Sequence, residues 1–305
     1  MESMKLGLVW LFSWRGLLAV LLVIFFVVPV IESVRLESLR AGAVAALEEK
    51  RGSRVILVIH RQESVNVLGI PVVRYIDIDD SEELLRAIRL TGKDTPLDLI
   101  LHTPGGLVLA ASQIARAIKR HPARTTVFVP HYAMSGGTLI ALAANAIVMD
   151  RNAVLGPVDP QLGDFPAVSV LDAVQRKPIA RIEDVTLVLA DQSRKAIAQV
   201  TALVQELLSG KLPPERTNET AHRLASGTWT HDFPITAEAA KELIGLPVST
   251  EMPEEVHRLM SLYRPAHDMQ PSVYYLPGPR YRKGDNEGTG AALTRTEQNR
   301  NRPIK

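Results

Sequence analysis

The chain has 305 residues, of which 35 are Lys or Arg and 33 are Asp or Glu, so its formal charge is +2. This balance argues against bulk nucleic-acid binding, which needs a strongly basic surface. Hydrophobic residues make up 46% of the chain, enough for a full-sized core in one large domain or two small ones. The absence of cysteine excludes disulfide frameworks, thiolate metal sites, iron–sulfur clusters and a cysteine nucleophile.

The N-terminal segment is apolar from Leu6 to Ile31. As one helix it would be about 39 Å long, which exceeds the hydrocarbon core of a bilayer. We therefore predict one N-terminal transmembrane helix within residues 1–34, with Trp14 as an interfacial anchor. A cleaved signal peptide is the alternative, but small residues suited to cleavage first cluster at 41–46, behind several charged residues. The distribution of Lys and Arg favours a single-pass protein with a cytoplasmic catalytic domain.

Short apolar segments then alternate with amphipathic ones. Strands are predicted at 55–59, 72–78, 97–101, 126–129 and 146–149, and helices at 31–50, 81–89, 107–119, 138–144, 185–208, 215–225 and 237–244. Such an alternation predicts an α/β fold with a largely parallel sheet. We assign residues 35–250 to this domain and residues 251–305 to a short helix followed by a basic tail. The tail is predicted to be disordered and solvated, with binding to anionic lipid as the alternative.

Two glycine-rich turns each lie between a predicted strand and a predicted helix. Residues 102–106 read HTPGG and residues 133–137 read AMSGG. Such turns expose backbone N–H groups at a helix start, so two at one end of a parallel sheet can bind a developing oxyanion. Neither has the spacing of a dinucleotide or phosphate loop. The second differs from the Gly-x-Ser-x-Gly elbow only at its first position, and that fold needs a downstream acid and then a histidine. The order is possible, since His222 follows Ser135, but nothing local supports it.

A serine nucleophile at Ser135 needs a base. His102 and His131 flank the two turns and are interpreted as structural or substrate-contacting residues. After Ser135, four lysines precede the tail, and they are Lys177, Lys195, Lys211 and Lys241. Lys177 precedes a proline in a stretch predicted to be irregular, where its side chain can turn into a crevice. A lysine works as a base only where desolvation lowers its pKa and makes the neutral amine available.

A third segment, 156–163, reads GPVDPQLG. Together with segments 99–106 and 130–137, it resembles the serine dehydrogenase proteinase family. This is a membrane-anchored branch of the Clp-protease/crotonase superfamily, related to signal peptide peptidase A. The likeness extends over roughly residues 35–248. It implies a Clp/crotonase-like spiral of β-β-α units.

The resemblance also implies roles for individual residues. Ser135 takes the nucleophile position, and the backbone amides of Gly105 or Gly106 and of Gly136 form the oxyanion hole. Clp proteases place their histidine base after the nucleophile helix and the next strand, whereas residues 155–163 contain no histidine. The membrane-bound branch resembles a Ser–Lys dyad with lysine about forty residues beyond the serine, a spacing that selects Lys177.

An extended substrate is expected to pair with the backbone after Gly106, which makes Leu107, Val108 and His131 substrate contacts. The combined expectation is a membrane-anchored serine endopeptidase, homo-oligomeric, acting on peptides or membrane proteins and contacting lipid through its N-terminal helix. No cofactor or metal is predicted, because no metal-ligand spacing and no cradle for pyridoxal phosphate emerges. A catalytically silent membrane scaffold and a crotonase-type acyl-CoA enzyme are the alternatives.

Overall fold

The computed structural model describes residues 14–60, 65–67, 70–72, 74–242 and 245–263. The helices are α1 (Trp14–Leu22), α2 (Val28–Arg51), α3 (Ile78–Leu90), α4 (Val108–Arg120), α5 (Gly136–Ala143), α6 (Ala167–Arg176), α7 (Asp184–Leu208), α8 (Pro214–Ala225), α9 (Ala237–Glu242) and α10 (Glu254–Ser261). The strands are β1 (Arg54–Ile59), β2 (Val65–Val67), β3 (Ile70–Val72), β4 (Leu97–His102), β5 (Thr125–Val129), β6 (Tyr132–Ala133), β7 (Ala146–Met149), β8 (Val154–Leu155), β9 (Gln161–Leu162), β10 (Phe165–Pro166), β11 (Ile235–Thr236) and β12 (Val248–Ser249).

A five-stranded parallel sheet in the order β1-β4-β5-β7-β12 forms the centre of the fold. Strands β4 and β5 are buried along their whole length and carry mostly apolar side chains. Successive side chains point to opposite faces of a sheet. Leu99 therefore joins the core formed with α4, α5 and α7, while Ile100 joins a second core with Leu47 of α2 and Val256 of α10. The sheet is sandwiched between two helical layers.

A second, smaller sheet carries the segments of functional interest. Its order is β11-β8-β6, and each strand is only two residues long. Strand β6 runs parallel to β8, whereas β11 runs antiparallel to it. Two further hairpins join β2 with β3 and β9 with β10.

The predicted α/β class and parallel sheet are confirmed, and the predicted strands at 55–59, 97–101, 126–129 and 146–149 are found within one residue at either end. The strand predicted at 72–78 is wrong, because the chain pairs earlier, as the β2–β3 hairpin. Within 74–78, Ile76 makes a single parallel bridge to Gly106 before helix α3 begins.

The start of α3 is set by a reciprocal pair of aspartates rather than by Ser81, the predicted cap. Asp77 accepts a hydrogen bond from the Asp80 amide at 3.0 Å, and Asp80 accepts one from the Asp77 amide at 3.0 Å. This capping box satisfies two of the otherwise unpaired amides at the helix start. Ser81 lies in the first turn, where its hydroxyl donates to the carbonyl of Ile78.

The predicted transmembrane helix is not found in the part of the chain that the structure describes. Residues 6–13 of the apolar run lie outside the described residues. Helix α1 has nine residues and is followed by a π-helical turn, Val23–Val27, before α2 begins. The apolar part of α2 ends at Ile31, where charged residues begin. Consequently none of the described helices combines the length and the apolar character that crossing a bilayer requires.

Two other expectations fall on residues that the structure leaves undescribed. The tail predicted to be disordered comprises residues 264–305, and the last two residues of the helix predicted at 237–244 are also outside the described ranges. The short helix predicted after residue 250 is α10. Its residues Val256 and Leu259 are fully buried in the second core, against Leu47 and Phe128.

Candidate active site

Ser135 occupies a strained turn at the start of α5. Its φ is +50° and its ψ is −115°, and no other non-glycine residue in the described part of the chain has a positive φ. Such backbone costs about 1–3 kcal/mol and persists only where the surroundings enforce it. Here the Gly137 amide donates to the Met134 carbonyl at 2.7 Å, and the Leu139 amide to the Ser135 carbonyl. The side chain is half-buried, and its hydroxyl makes no hydrogen bond to any described residue.

The first glycine turn packs directly against this serine. A Cβ atom on Gly105, whose φ is +104°, would lie 2.8 Å from Cβ of Ser135 and 3.0 Å from the Gly136 amide. A Cβ atom on Gly106 would lie 2.8 Å from the carbonyl carbon of Ile76. Real Cβ atoms do not approach so closely, so only glycine allows the two turns and the 76–77 segment to meet here.

The amides of this turn are not equivalent. Ile76 pairs with it on one edge, because its amide donates to the Gly105 carbonyl and its carbonyl accepts from the Leu107 amide. The Gly106 amide therefore points away from Ile76, as alternate amides do in a parallel ladder. The Gly105 amide, one of those predicted for the oxyanion hole, donates to the Thr103 hydroxyl at 3.2 Å and is therefore already engaged.

Two amides remain beside Ser135, those of Gly106 and Gly136. The Gly106 nitrogen is 3.5 Å from where a Cβ on Gly136 would lie. Neither amide donates to another residue in the described ranges. Gly136 is the first residue of α5, so its amide also carries the positive end of the helix dipole. The arrangement suits an oxyanion formed on a carbonyl that Ser135 attacks.

A buried carboxylate and a histidine form a pair in the third sequence segment. Asp159 is 3% exposed and accepts hydrogen bonds from Nδ1 of His231 at 2.8 Å and from Nε2 of Gln161 at 2.7 Å. His231 is about one-third exposed, and its loop is closed by the stacked rings of Trp229 and Phe233, whose centroids are 5.4 Å apart. The carboxylate fixes the orientation of the imidazole and leaves Nε2 available.

The small sheet brings this pair to the same end as the serine. Ser135 follows β6 and Asp159 follows β8, and these two strands are parallel. His231 precedes β11, which is antiparallel to β8, so it lies at that same end. Neighbouring strands are about 4.8 Å apart, so β6 and β11 flank β8 at about 10 Å from one another. Thr138 ties α5 to this end, because its hydroxyl accepts from the Gly156 amide at 3.1 Å.

Lys177, the predicted base, lies at the C-terminal end of helix α6. This stretch was predicted to be irregular. Lys177 is exposed and is followed by a 3-10 turn at Ile179–Arg181. A lysine needs desolvation to hold a neutral amine at neutral pH, and the described part of a single chain does not bury Lys177. Its role stays a prediction.

A different lysine is partly buried. Burial lowers the pKa of Lys211 to about 8. Its Nζ donates to the carbonyls of Leu142 at 2.5 Å and Ala144 at 2.6 Å, at the C-terminal end of α5. Ser135 lies at the opposite end of this helix, so Lys211 anchors the helix and does not reach the serine.

The predicted substrate contacts lie on the surface near the first turn. Leu107 and Val108 are 53% and 48% exposed at the start of α4, and His131 is exposed. Beside Val108 a groove of about 390 Å³ opens between α4, α7 and residues 160–162. An apolar surface therefore lies next to the first glycine turn. Substrate contacts by Leu107, Val108 and His131 stay predictions.

The described residues contain no group of three or more His, Asp or Glu side chains placed to hold a metal ion. This end of the sheet offers a serine hydroxyl, two unengaged amides and a carboxylate-oriented imidazole.

The sequence also matches known proteins. A family model described as ClpP-like SDH-type serine proteinase matches residues 8–290. The chain belongs to this family. The uncharacterized protein MJ0137 of Methanocaldococcus jannaschii is 56% identical over 251 residues, covering 82% of this chain and 87% of its own. The uncharacterized protein MJ1495 of the same organism is 54% identical over 248 residues, with coverages of 81% and 84%.

Solved structures give more distant matches. A variant of the 1510-N membrane-bound stomatin-specific protease has 20% identity and a TM-score of 0.42, covering 61% of this chain and 79% of that one. ClpP1 from Listeria monocytogenes has 15% identity and a TM-score of 0.43, covering 69% and 99%.

The pairing of His231 with Asp159 was not predicted from the sequence. Asp159 lies inside the GPVDPQLG segment, and the order serine, acid, histidine was recognised as possible. The sequence does contain one indication of it. His231 lies midway between Trp229 and Phe233 on a short loop, a spacing that lets the two rings stack around the histidine.

Proposed function

We propose that this ClpP-like SDH-type serine proteinase hydrolyses peptide bonds through an acyl-enzyme on Ser135. One observation carries the proposal. A serine is held in strained backbone at a helix start, beside two amides that donate to no described residue. Strain of this kind clusters at functional sites, and a strand–turn–helix presents a nucleophile for attack.

We assign the base to His231, oriented by Asp159. With Nδ1 donating to the carboxylate at 2.8 Å, the neutral imidazole carries its lone pair on Nε2, the atom that accepts a proton. The Ser135 hydroxyl and Nε2 are not hydrogen-bonded in this structure, and such catalytic contacts commonly tighten only when substrate binds.

The reaction then proceeds in two halves. Oγ of Ser135 attacks the peptide carbonyl while His231 accepts the hydroxyl proton, and the amides of Gly106 and Gly136 stabilise the oxyanion. The C–N bond breaks as the imidazolium donates its proton to the leaving amine. Water attacks the ester with His231 again as base, the carboxylic acid leaves, and the serine regains its proton.

The substrate surface follows from the first turn. An extended peptide pairs with the backbone after Gly106, where Leu107 and Val108 offer exposed apolar contacts. The groove beside Val108 receives an apolar side chain of the peptide, because it is lined mainly by apolar residues such as Val200 and Leu203.

The Ser–Lys dyad with Lys177 is the competing assignment of the base. A fluorophosphonate probe, which labels activated serines, separates the two. We expect labelling of the wild type, none of Ser135→Ala, and a decrease of about 10²–10⁴-fold in the labelling rate of His231→Gln. Lys177→Ala and the matched control His222→Gln, altered at an exposed histidine of α8, should label at the wild-type rate.

Each contrary result has a defined meaning. Slow labelling of Lys177→Ala with normal labelling of His231→Gln would replace the histidine by the lysine. Labelling that persists in Ser135→Ala would move the nucleophile elsewhere. A folded wild type that does not react would favour a catalytically silent scaffold.

A further inference from the structure

A buried histidine outside the proposed catalytic pair lies behind the first glycine turn, on the side away from Ser135. His60 follows β1 and its side chain is 8% exposed. Its Nδ1 is 3.0 Å from the Thr103 hydroxyl, and its Nε2 is 3.2 Å from the Asp80 carboxylate. No step of the proposed reaction uses this histidine.

The hydrogen bonds that join Gly105, Thr103, His60 and Asp80 can all run in one direction, from the Gly105 amide to the Asp80 carboxylate. The Gly105 amide donates to the Thr103 hydroxyl oxygen. The Thr103 hydroxyl can donate to Nδ1 of His60, which at 3.0 Å is nearer than its other acceptor, the Gly105 carbonyl oxygen at 3.5 Å. The Nε2 proton of His60 can be donated to the Asp80 carboxylate. In the neutral tautomer with its proton on Nε2, each polar hydrogen is used once and each meets an acceptor. Thr103 is fully buried, so these hydrogen bonds are costly to break.

The far end of this chain is itself fixed. Asp80 accepts from the Asp77 amide within the capping box of α3. Ile76, one residue earlier, holds the other edge of the glycine turn through the Gly105 carbonyl and the Leu107 amide. The turn is thus connected twice to the segment that begins α3.

The two connections hold two successive peptide planes. Ile76 fixes the plane that contains the Gly105 carbonyl and the Gly106 amide. Thr103 fixes the preceding plane, which contains the Gly105 amide. The two planes meet at Cα of Gly105, a residue with φ of +104° and no side chain to restrict it.

We propose that Thr103, His60 and Asp80 form a positioning chain for the oxyanion hole. It commits the Gly105 amide to Thr103 and so holds the Gly106 amide in the direction of the attacked carbonyl. Its effect on labelling rests on the proposed function, whereas its effect on the order of the turn does not.

Thr103 offers a matched pair of variants. Its methyl group touches Gly137, since a Cβ there would lie 2.7 Å from Cγ2. Thr103→Val keeps this packing and removes the hydroxyl, whereas Thr103→Ser keeps the hydroxyl and removes the methyl. We expect Thr103→Val to react at least about tenfold more slowly with the fluorophosphonate and Thr103→Ser within about threefold of wild type.

His60 offers a second pair. Asn presents a polar atom near the position of Nδ1 and keeps the contact to Thr103, whereas Gln reaches the position of Nε2 and keeps only the contact to Asp80. His60→Asn is therefore expected to label faster than His60→Gln. His121, which bonds the Thr95 carbonyl at 2.8 Å outside this turn, provides the control His121→Asn with the wild-type rate.

Hydrogen exchange supplies a readout that does not depend on activity. Mass spectrometry of peptides covering residues 103–107 should show faster exchange in Thr103→Val than in Thr103→Ser. Equal exchange and equal labelling in these two variants would overturn the positioning chain. A wild type that is not labelled would overturn the proposed function alone, because the exchange comparison would still decide whether the chain orders the turn.

Discussion

The two glycine turns both lie between a strand and a helix, but they differ in which residue occupies the unusual backbone. In the first, Gly105 and Gly106 occupy backbone that a side chain cannot enter, because Ile76 and Ser135 are in the way. In the second, the unusual backbone falls on Ser135, a residue with a side chain. A glycine in place of Ser135 would adopt this backbone without strain, but it would lack the hydroxyl. The proposed role of that hydroxyl therefore accounts for a strained serine at this position.

The helices behind the turns differ in the same way. Helix α4 has thirteen residues and buries one face. Helix α5 has eight residues, all buried, and its last carbonyls are held by Lys211. Ser135 thus precedes a short, buried helix that hydrogen bonds hold at both ends.

The largest effect is expected from a substitution that inserts a Cβ atom between the first glycine turn and Ile76. Gly106→Ala places a Cβ against backbone atoms that cannot move aside, so the free energy of unfolding should fall by about 3 kcal/mol and labelling should be lost. Gly210→Ala is the matched control. It also has a positive φ, but nothing lies within 4 Å of the added atom, so a loss of only about 1 kcal/mol is expected in urea unfolding. Equal losses would show that the contact is unimportant.

Ser135→Gly should separate strain from chemistry. We expect the variant to lose labelling and to gain about 1 kcal/mol in free energy of unfolding, since glycine adopts this backbone without strain. Ser135→Ala keeps the Cβ and should be labelled no better, without the gain in stability. Urea unfolding of the three proteins measures the difference. An equal stability of the Gly and Ala variants would contradict the strain.

Lys211→Met tests the anchor of α5. Loss of two hydrogen bonds from a buried ammonium group should reduce the free energy of unfolding by about 1–3 kcal/mol at neutral pH. Lys195→Met, at an exposed ion pair with Asp191, should change it little.

The contribution of Lys211 to the free energy of unfolding should depend on pH. Folding lowers the pKa of Lys211 from 10.5 to about 8, so between these values the unfolded chain binds more protons than the folded one. Stability contributed by this group therefore rises with pH from about 8 to about 10.5 and is flat below. Urea unfolding at several pH values should show this rise in the wild type relative to Lys211→Met. A difference that does not change with pH would contradict it.

The smallest effect is expected at the loop of His231. Phe233→Leu removes a stacked ring pair worth about 1 kcal/mol and should slow labelling about threefold. Phe165→Leu, at an exposed aromatic residue of β10, is the control without effect. A loss as large as that of His231→Gln would mean that the ring contacts the substrate or the reacting groups.

Much of the fold was accessible from the sequence because its signals are local. The buried strands β4 and β5 carry mostly apolar side chains, and each is followed by glycines whose spacing marks a turn into a helix. Ser135 and the glycine amides beside it follow from the same pattern. Only the geometry reveals that the Gly105 amide is already engaged by Thr103.

The rest depends on contacts between distant segments. Asp159 and His231 are 72 positions apart, and only the pairing of β8 with β11 brings them together. The strand predicted at 72–78 failed because an apolar alternation does not reveal a hairpin partner or a capping box at Asp77. Only Ser13 and Arg15 interrupt the apolar N-terminal run in the sequence, and the composition does not reveal the π-helical turn at Val23–Val27 that separates α1 from α2.

The small three-stranded sheet has a consequence for how the site is divided along the chain. Under the proposed function, the oxyanion-binding module consists of the turns before α4 and α5, with Gly106, Ser135 and Gly136, while His231 lies on a separate loop ahead of β11. The groups proposed to bind the transition state and the group proposed to transfer the proton therefore come from separate segments, joined through strands of two residues. A change of proton acceptor, to another loop or another residue type, would leave the oxyanion-binding module intact.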